Sequence, residues 1–342
     1  MSVLRVLHLV GSATDDFYCD LSRLYAEDCL EFTANAALYE FHIAYVTPDR
    51  QWRFPTSLSP ESINLAAPMS LSEAVRVLTT LKIDVMLPQM FCISGMTSYR
   101  TLFDLLNIPY VGNLPDLMAL AANKAKTKAI VAAAGVIVPH GELLHPGDLP
   151  KISTPAVIKP VDTDNSLGLA FVKNAADYDA ALQTAFTHAA EVLVETFIEL
   201  GREVRCGIIV QDGELICLPL EEYLMDQDDR PIRSYEDKLA RDQDGGLTMV
   251  AKNNRKSWIV DASDPITARV WDAAKKCHIA LGCRHYSLFD FRIDPSGQPW
   301  FLEAGLYCSF ARTSVISAMA KTSGIALDVL FHSMLNNALS NR

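Results

Sequence analysis

The spacing of apolar runs in the first third of the chain limits the fold most. VLRVLHLV (starting at residue 3), FHIAYV (41–46), IDVMLPQ (83–89) and IPYVG (108–112) are short, nearly continuous apolar segments. Runs of this kind fit strands buried on both faces. Between them the pattern is helical over 15–30, from the Ser70–Glu73 capping box to about Leu81, and over 98–107. Strands alternating with helices predict a parallel sheet with right-handed crossovers. The loops at its strand ends, near Gly11 and Gln89, are then the expected ligand side.

The pattern changes after residue 113. The Ala- and Lys-rich stretch 114–135 predicts one long helix closed by Gly135. TPAVIKPV, LGLAFVKN, EVLVETFI, REVRCGIIV and ELICLPLEEY predict successive antiparallel strands around one helix at 175–189. Residues 226–263 are polar and aperiodic, which predicts a long functional loop that closes over a site. A helix at 264–281 precedes two strands joined by Asp294-Pro295-Ser296-Gly297, a turn with Pro at its second position, and two helices end the chain. The expected class is therefore α/β and α+β in three parts: a parallel-sheet unit (1–113), a central subdomain (114–198) and a C-terminal domain (199–342).

Composition excludes several roles. The 342 residues carry a formal charge of −11, with no basic tract, so no general attraction to nucleic acid or anionic membranes is expected. No apolar run reaches the ~18 residues of a membrane span. The N-terminus reads as a first buried strand and not as a signal peptide. The eight cysteines are scattered without a C-x-x-C pair, as expected for reduced, mostly buried thiols in a cytoplasmic protein, and zinc spacing is absent.

Three segments carry candidate chemistry. In the hairpin FDFRIDPSGQPWFLEAG, counting outward from a turn centred between Pro295 and Ser296 sets Asp290 opposite Phe301 and Leu288 opposite Glu303. Asp290 and Glu303 then sit diagonally on one face, ~7–8 Å apart, a span suited to a hard cation. The same spacing also fits two solvated acids on a half-exposed hairpin. In PAVIKPVDTDNSLGLAFV, Lys159 ends a strand before a small-residue loop, where it can hold phosphate, or simply be exposed. In VLVETFIELGREV, Glu195 and Glu203 flank a turn and can accept hydrogen bonds from an amine and a hydroxyl.

The order of these segments resembles the ATP-grasp superfamily, and within it the D-alanine–D-alanine ligase group. IPYVGN, NKAKTKAIVAAAGVIVP, VIKPVDTDNSLG and SYEDKL carry the likeness, which runs from about residue 83 to 335. The resemblance implies ATP held with one or two Mg²⁺ ions, or Mn²⁺. Lys124 and Lys159 would be phosphate lysines, and Asn165, Ser166 and Gly168 would lie in the phosphate-covering loop. Glu195, Phe197 and Ile198 would form the adenine hinge, Glu203 would bind ribose, and Asp290 and Glu303 would hold metal. Lys238 would enter from the long loop. Ser309, Ser314 and Arg312 would hold substrate, with Asp15 and Asp16 at the amine motif. A homodimer acting on small molecules is also implied.

The chain departs from the group at informative positions. The hinge lysine is Thr196, the arginine that steadies the tetrahedral intermediate is Leu288, and the metal-binding asparagine is Gly305. HLVGSATDDFYCDLSRLY, ELGREVRCGII and CRHYSLFDFRID are similar to ligases that couple amino acids to mycosporine-glycine. That likeness implies a phosphorylated ring ketone as electrophile and an imine product formed with serine, threonine or glycine. A dipeptide ligase working through an acyl phosphate and a non-catalytic ATP-binding sensor are the other readings. A dinucleotide dehydrogenase is not favoured, since no G-x-G-x-x-G follows the first strand.

Overall fold

The computed structural model describes residues 3–163, 166–226, 231–233, 239–241, 247–249 and 256–340. The first unit contains β1 (Leu4–Gly11), α1 (Asp16–Thr33), β2 (Tyr39–Val46), β3 (Trp52–Arg53), α2 (Pro60–Leu65), α3 (Leu71–Leu81), β4 (Val85–Pro88), α4 (Ile93–Met96) and α5 (Ser98–Leu105). Its sheet runs β3-β2-β1-β4, with β2, β1 and β4 parallel and β3 an antiparallel edge. The apolar runs are continuous because both faces are covered. Leu7, Leu9 and Met86 pack with Leu78 and Phe103, while Val10, Ile43 and Tyr45 pack with Cys19 and Ala26. The Ser70–Glu73 capping box forms as expected. The expected strand at 108–112 reduces to a single bridge between Tyr110 and Met86. Gly11 ends β1 at φ +98°, where a Cβ would fall 2.0 Å from the Val46 carbonyl oxygen, so only glycine fits.

The expected single helix over 114–135 is two: α6 (Pro115–Ala122) and α7 (Lys124–Ala133). Asn123 breaks it with an extended backbone (φ −95°, ψ 105°), and its side chain accepts from the Lys126 N–H. The break frees the Lys124 N–H to donate to the Val161 carbonyl at 2.9 Å, which ties the helix start to the segment after Lys159. Next come β5 (Gly141–Leu144), β6 (Ala156–Pro160), β7 (Ala170–Val172), α8 (Tyr178–Phe186) and β8 (Val192–Thr196), in an antiparallel sheet ordered β5-β8-β6-β7. The sequence reading missed β5, whose short GELL run lacks periodicity.

The third sheet is antiparallel, in the order β14-β11-β9-β15-β16 with β10 also on β9. Its strands are β9 (Arg202–Gln211), β10 (Glu214–Cys217), β11 (Glu221–Tyr223), β14 (Ser257–Ile259), β15 (Tyr286–Ile293) and β16 (Pro299–Ala304). Within the stretch expected to be a loop, β12 (Leu239–Arg241) and β13 (Leu247–Met249) pair with each other. The helices are α9 (Pro265–Leu281), α10 (Val315–Thr322) and α11 (Leu327–Ser340). One face of the sheet packs on α7 and α9, burying Val204, Cys206, Phe289, Phe291 and Phe301. Each buried side chain of this size contributes ~1.5–3 kcal/mol. The other face, with Ile209, Leu218 and Leu288, lies under α10 and α11 through Met319, Phe331 and Met334. Among the described residues no single helix is long and apolar enough to cross a membrane.

Candidate active site

Residues 288, 290 and 292 share one face of β15, because side chains alternate along a strand. Leu288 is covered within the core beneath α10 and α11. Asp290 and Arg292, further along, border a cleft lined from both the second and the third sheets. The neighbouring strand supplies matching partners, since Asp290 is paired in register with Arg205, and Arg292 with Glu203.

The hairpin differs from its expected register in two ways. Its turn holds three residues, with the Asp294 N–H donating to the Gln298 carbonyl at 3.1 Å, so Phe291 pairs with Phe301. A β-bulge next to Asp290 then sets Asp290 directly opposite Glu303. Strict alternation would send Glu303 to the same face as Phe301, into the apolar core against α9. The bulge places both Leu302 and Glu303 along the cleft. The two acids are therefore direct neighbours, ~4.5–5.5 Å apart at Cβ by strand geometry, and not diagonal ones.

Lysines gather on the opposite wall. Lys159, near the end of β6, approaches Glu195 Oε2 at 2.5 Å, and Lys128 from α7 donates to Oε1 of the same carboxylate. Burial opposes the charge on Glu195, but the two ammonium groups outweigh it and hold the acid below its usual range. Burial pulls Lys128 down to about 7, against the attraction of Glu195. Lys124 donates through Nζ to the Thr163 carbonyl at the root of the small-residue loop. Ser166 lines the cleft, and Gly168 turns at φ +73°, where a Cβ would lie 2.7 Å from the Pro160 ring. Gly168 thus packs back on the Lys159 strand.

Beyond the lysines, Arg292 fixes the floor. It donates to Glu203 Oε2 at 2.7 Å and to the carbonyls of Pro231 and Ile198 at 2.7 and 3.2 Å. Its guanidinium lies 5.3 Å from the Phe197 ring, which packs on Phe171 at 4.4 Å. At the acid pair, Arg205 Nε donates to Asp290 Oδ1 at 2.8 Å, and Arg233 lies 3.8 Å from Oδ2. Both guanidinium groups lie over the Tyr223 ring, at 5.3 and 3.6 Å. Burial opposes the charge on Arg205, and Asp290, Tyr223 and Glu221 hold its pKa well above the usual value.

Most of the sequence-selected residues meet here: Lys124, Lys159, Ser166, Glu195, Ile198, Glu203, Asp290 and Glu303 all border the cleft. The Glu195 carboxylate, expected to accept from an adenine amine, is instead occupied by two lysines. The substrate-side candidates have contacts of their own in the fold. Asp15 caps α1 by accepting from the Tyr18 N–H, and Asp16 opens that helix exposed to solvent. Arg312, expected to anchor a carboxylate, binds Asp28 and lies 3.3 Å over the Phe32 ring. Ser314 caps α10, and its hydroxyl contacts that of Ser317 at 2.9 Å. Ser309 is buried, with its carbonyl accepting from Gln89. Lys238 and Asn165 lie outside the described residues. Sequence reading missed Lys128, Arg205, Arg233 and Arg292. The only signal was a cation in or beside an apolar strand or helix, a pattern that fits many exposed lysines and arginines equally well.

A metal fits the donor set on chemical grounds. No group of three or more His, Cys, Asp or Glu side chains converges among the described residues. Two facing carboxylates leave most of the coordination to other oxygens, as Mg²⁺ prefers when it binds through phosphates.

The family model described as the D-ala D-ala ligase C-terminus matches residues 148–336. A D-alanine–D-alanine ligase of Citrifermentans bemidjiense is 30% identical over 245 residues, covering 70% of this chain and 74% of that protein. Two solved structures share the fold. The VanG D-Ala:D-Ser ligase from Enterococcus faecalis superposes with TM-score 0.78 at 23% identity, covering 98% of this chain and 100% of that one. The D-alanine–D-alanine ligase from Bacillus anthracis complexed with ATP superposes with TM-score 0.72 at 17% identity, covering 99% and 98%.

Proposed function

Since the chain belongs to the D-alanine–D-alanine ligase family of ATP-dependent carbon–nitrogen ligases, we propose that it joins an amino acid to a conjugated cyclohexenone acceptor of the mycosporine-glycine kind. The observation that carries this reading is where two departures from the family meet. Leu288 replaces an arginine and Gly305 an asparagine, and the Gly305 N–H donates to the Leu288 carbonyl at 2.8 Å. A Cβ at Gly305 would lie 3.8 Å from Leu288 Cδ2. The two changes meet in one apolar contact next to Asp290 and Glu303 in the hairpin. A tetrahedral acyl intermediate concentrates charge on one oxygen, and losing a donor to such a charge costs ~10²–10³ in rate. A vinylogous ketone is phosphorylated on its only carbonyl oxygen, and the charge that develops is positive and spread over ring and nitrogen, so no oxyanion calls for a cation there and an apolar neighbour is tolerated.

In this reading ATP lies in the cleft, with its phosphates near Lys124 and Lys159 and its ribose by Glu203. Asp290 and Glu303 would hold Mg²⁺, which neutralises charge on the transferring phosphoryl group. The acceptor oxygen attacks the γ-phosphorus, and ADP leaves. The amine nitrogen then adds to the ring carbon, the C–O bond breaks with release of phosphate, and loss of the amine protons leaves the C=N bond. Lys238, which lies outside the described residues, is assigned to this site from the sequence, and Phe197 with Ile198 at the adenine edge complete the assignment.

The second reading is ligation of two amino acids through an acyl phosphate, and the 30% identical relative favours it. Product mass separates the two. Purified protein with Mg-ATP, serine and mycosporine-glycine should release ADP and yield the imine. D-alanine dipeptide formation without turnover of the cyclohexenone would replace the first reading with the second.

A further inference from the structure

We propose that Lys128 is a positioning residue for the nucleotide: it keeps the Glu195 carboxylate paired when Lys159 leaves it for the phosphates. The inference rests on the ATP part of the reading above and is independent of which acceptor is coupled. It starts from the sharing of one acid by two cations. Lys159 Nζ lies 2.5 Å from Glu195 Oε2, and Lys128 donates to Oε1 of the same carboxylate. Register accounts for the first contact. Glu195 pairs across the sheet with Val157, so Lys159 sits two residues along on the same face. Lys128 comes from a separate element, α7, whose first N–H is tied to the Val161 carbonyl at 2.9 Å.

The two lysines differ in what they can reach. Lys159 and Glu195 border the cleft, and Lys128 is not among the residues that do. Lys128 is buried and Lys159 half-buried. A phosphate in the cleft therefore competes with Glu195 for Lys159 alone. With Lys159 as sole partner, that competition would leave a buried carboxylate unbalanced, which is strongly unfavourable. Lys128 removes the penalty. Burial opposes the charge on Glu195, and Lys128 counters it more strongly than Lys159 does, so the acid stays ionised when Lys159 is drawn off. Burial also pulls Lys128 down, and against the attraction of Glu195 the charge of Lys159 acts in the same sense as burial. Moving Lys159 away thus strengthens the hold of Lys128 on its proton. Without Lys128, Lys159 is the remaining cation of the pair and stays pinned to the acid.

The test measures Mg-ATP binding to the full chain by calorimetry, which needs no acceptor. Lys128→Met should weaken binding by about tenfold or more, since Lys159 stays on Glu195. Adding Glu195→Gln removes the pin and should recover all but about threefold of that loss. In turnover, Lys128→Met should raise the KM for ATP and leave kcat within about threefold, because the pin is broken on binding and not in the chemical step. ADP release is followed with whichever acceptor the wild type turns over. Unchanged Mg-ATP binding in Lys128→Met would overturn the proposal. A double variant that binds as weakly as Lys128→Met would overturn it too, and would make Lys128 a structural support between α7 and β8. If Lys128→Met does not fold, the double variant is compared with Glu195→Gln. Binding within about threefold supports the proposal, and a tenfold or larger loss overturns it. Absence of Mg-ATP binding by the wild type would overturn the nucleotide reading itself, and the proposal with it.

Discussion

Lys159 and Lys128 share one carboxylate: Lys159 Nζ lies 2.5 Å from Glu195 Oε2 while Lys128 takes the other oxygen. Two cations on one buried acid leave a surplus positive charge at the edge of the cleft. Lys159→Met should therefore raise the KM for Mg-ATP and lower kcat, together by about 10²-fold or more. Unchanged nucleotide binding by calorimetry would remove Lys159 from the phosphate site.

Glu195→Gln should act mainly on stability. It leaves two buried ammonium groups facing a neutral amide, and breaking a buried ion pair costs ~3–5 kcal/mol. Urea unfolding should show a lower midpoint with an unchanged slope. A midpoint equal to wild type would mean that the lysines relax into solvent.

Glu303→Gln and Asp290→Asn should each lower turnover by orders of magnitude while circular dichroism stays native, because each removes a charge from the metal pair. Asp290→Asn also deprives Arg205 and Arg233 of their anion, so it should lower thermal stability at low Mg²⁺ as well. Near-normal turnover in Glu303→Gln would return these acids to the role of a solvated hairpin edge.

Stability should fall on acidification from pH about 6.5 toward about 4. Burial lowers His8 and His278 to about 4 and His285 to about 3. In this window the unfolded chain binds protons that the native chain refuses, so acid favours unfolding. Each histidine adds up to ~1.4 kcal/mol per pH unit to the slope. The depressed Glu195 and Asp294 act in the same direction at lower pH. His278→Gln, whose ring now contacts the Ser287 hydroxyl at 2.8 Å, should flatten the dependence by about one proton. Equal slopes for variant and wild type would show that His278 protonates in the native state.

Leu288→Arg in the otherwise native chain should not speed coupling to the cyclohexenone. Leu288 is buried beside Gly305, and a cation there faces Arg205 on the same sheet face. Steady-state ADP release with mycosporine-glycine and serine is the measurement. A gain of tenfold or more would mean that the native reaction lacks a cation and that the loss of arginine at position 288 has no chemical role.

Periodicity in the sequence determined the parallel sheet at the N-terminus, the antiparallel strands after it, and the residue types that border the cleft. Asp290 and Glu303 could be selected because a charge inside an apolar run is costly unless it has a partner, and Lys159 because it ends a strand before a small-residue loop. The sequence could not set their partners. Asp290 and Glu303 face each other only because a three-residue turn and a bulge shift the hairpin by one residue and then one more, and strand alternation carries no mark of either. Asn123 breaks a run of good helix formers to bring Lys124 to the Val161 segment, a contact between distant parts of the chain that outweighs local propensity. The sequence selected Ser314 and Arg312 as substrate contacts but could not show that one caps a helix and the other pairs with Asp28, because those partners are set by the folded backbone and by a residue far along the chain. Arg205 became visible only in the assembled sheet, where register sets it against an acid 85 positions along the chain.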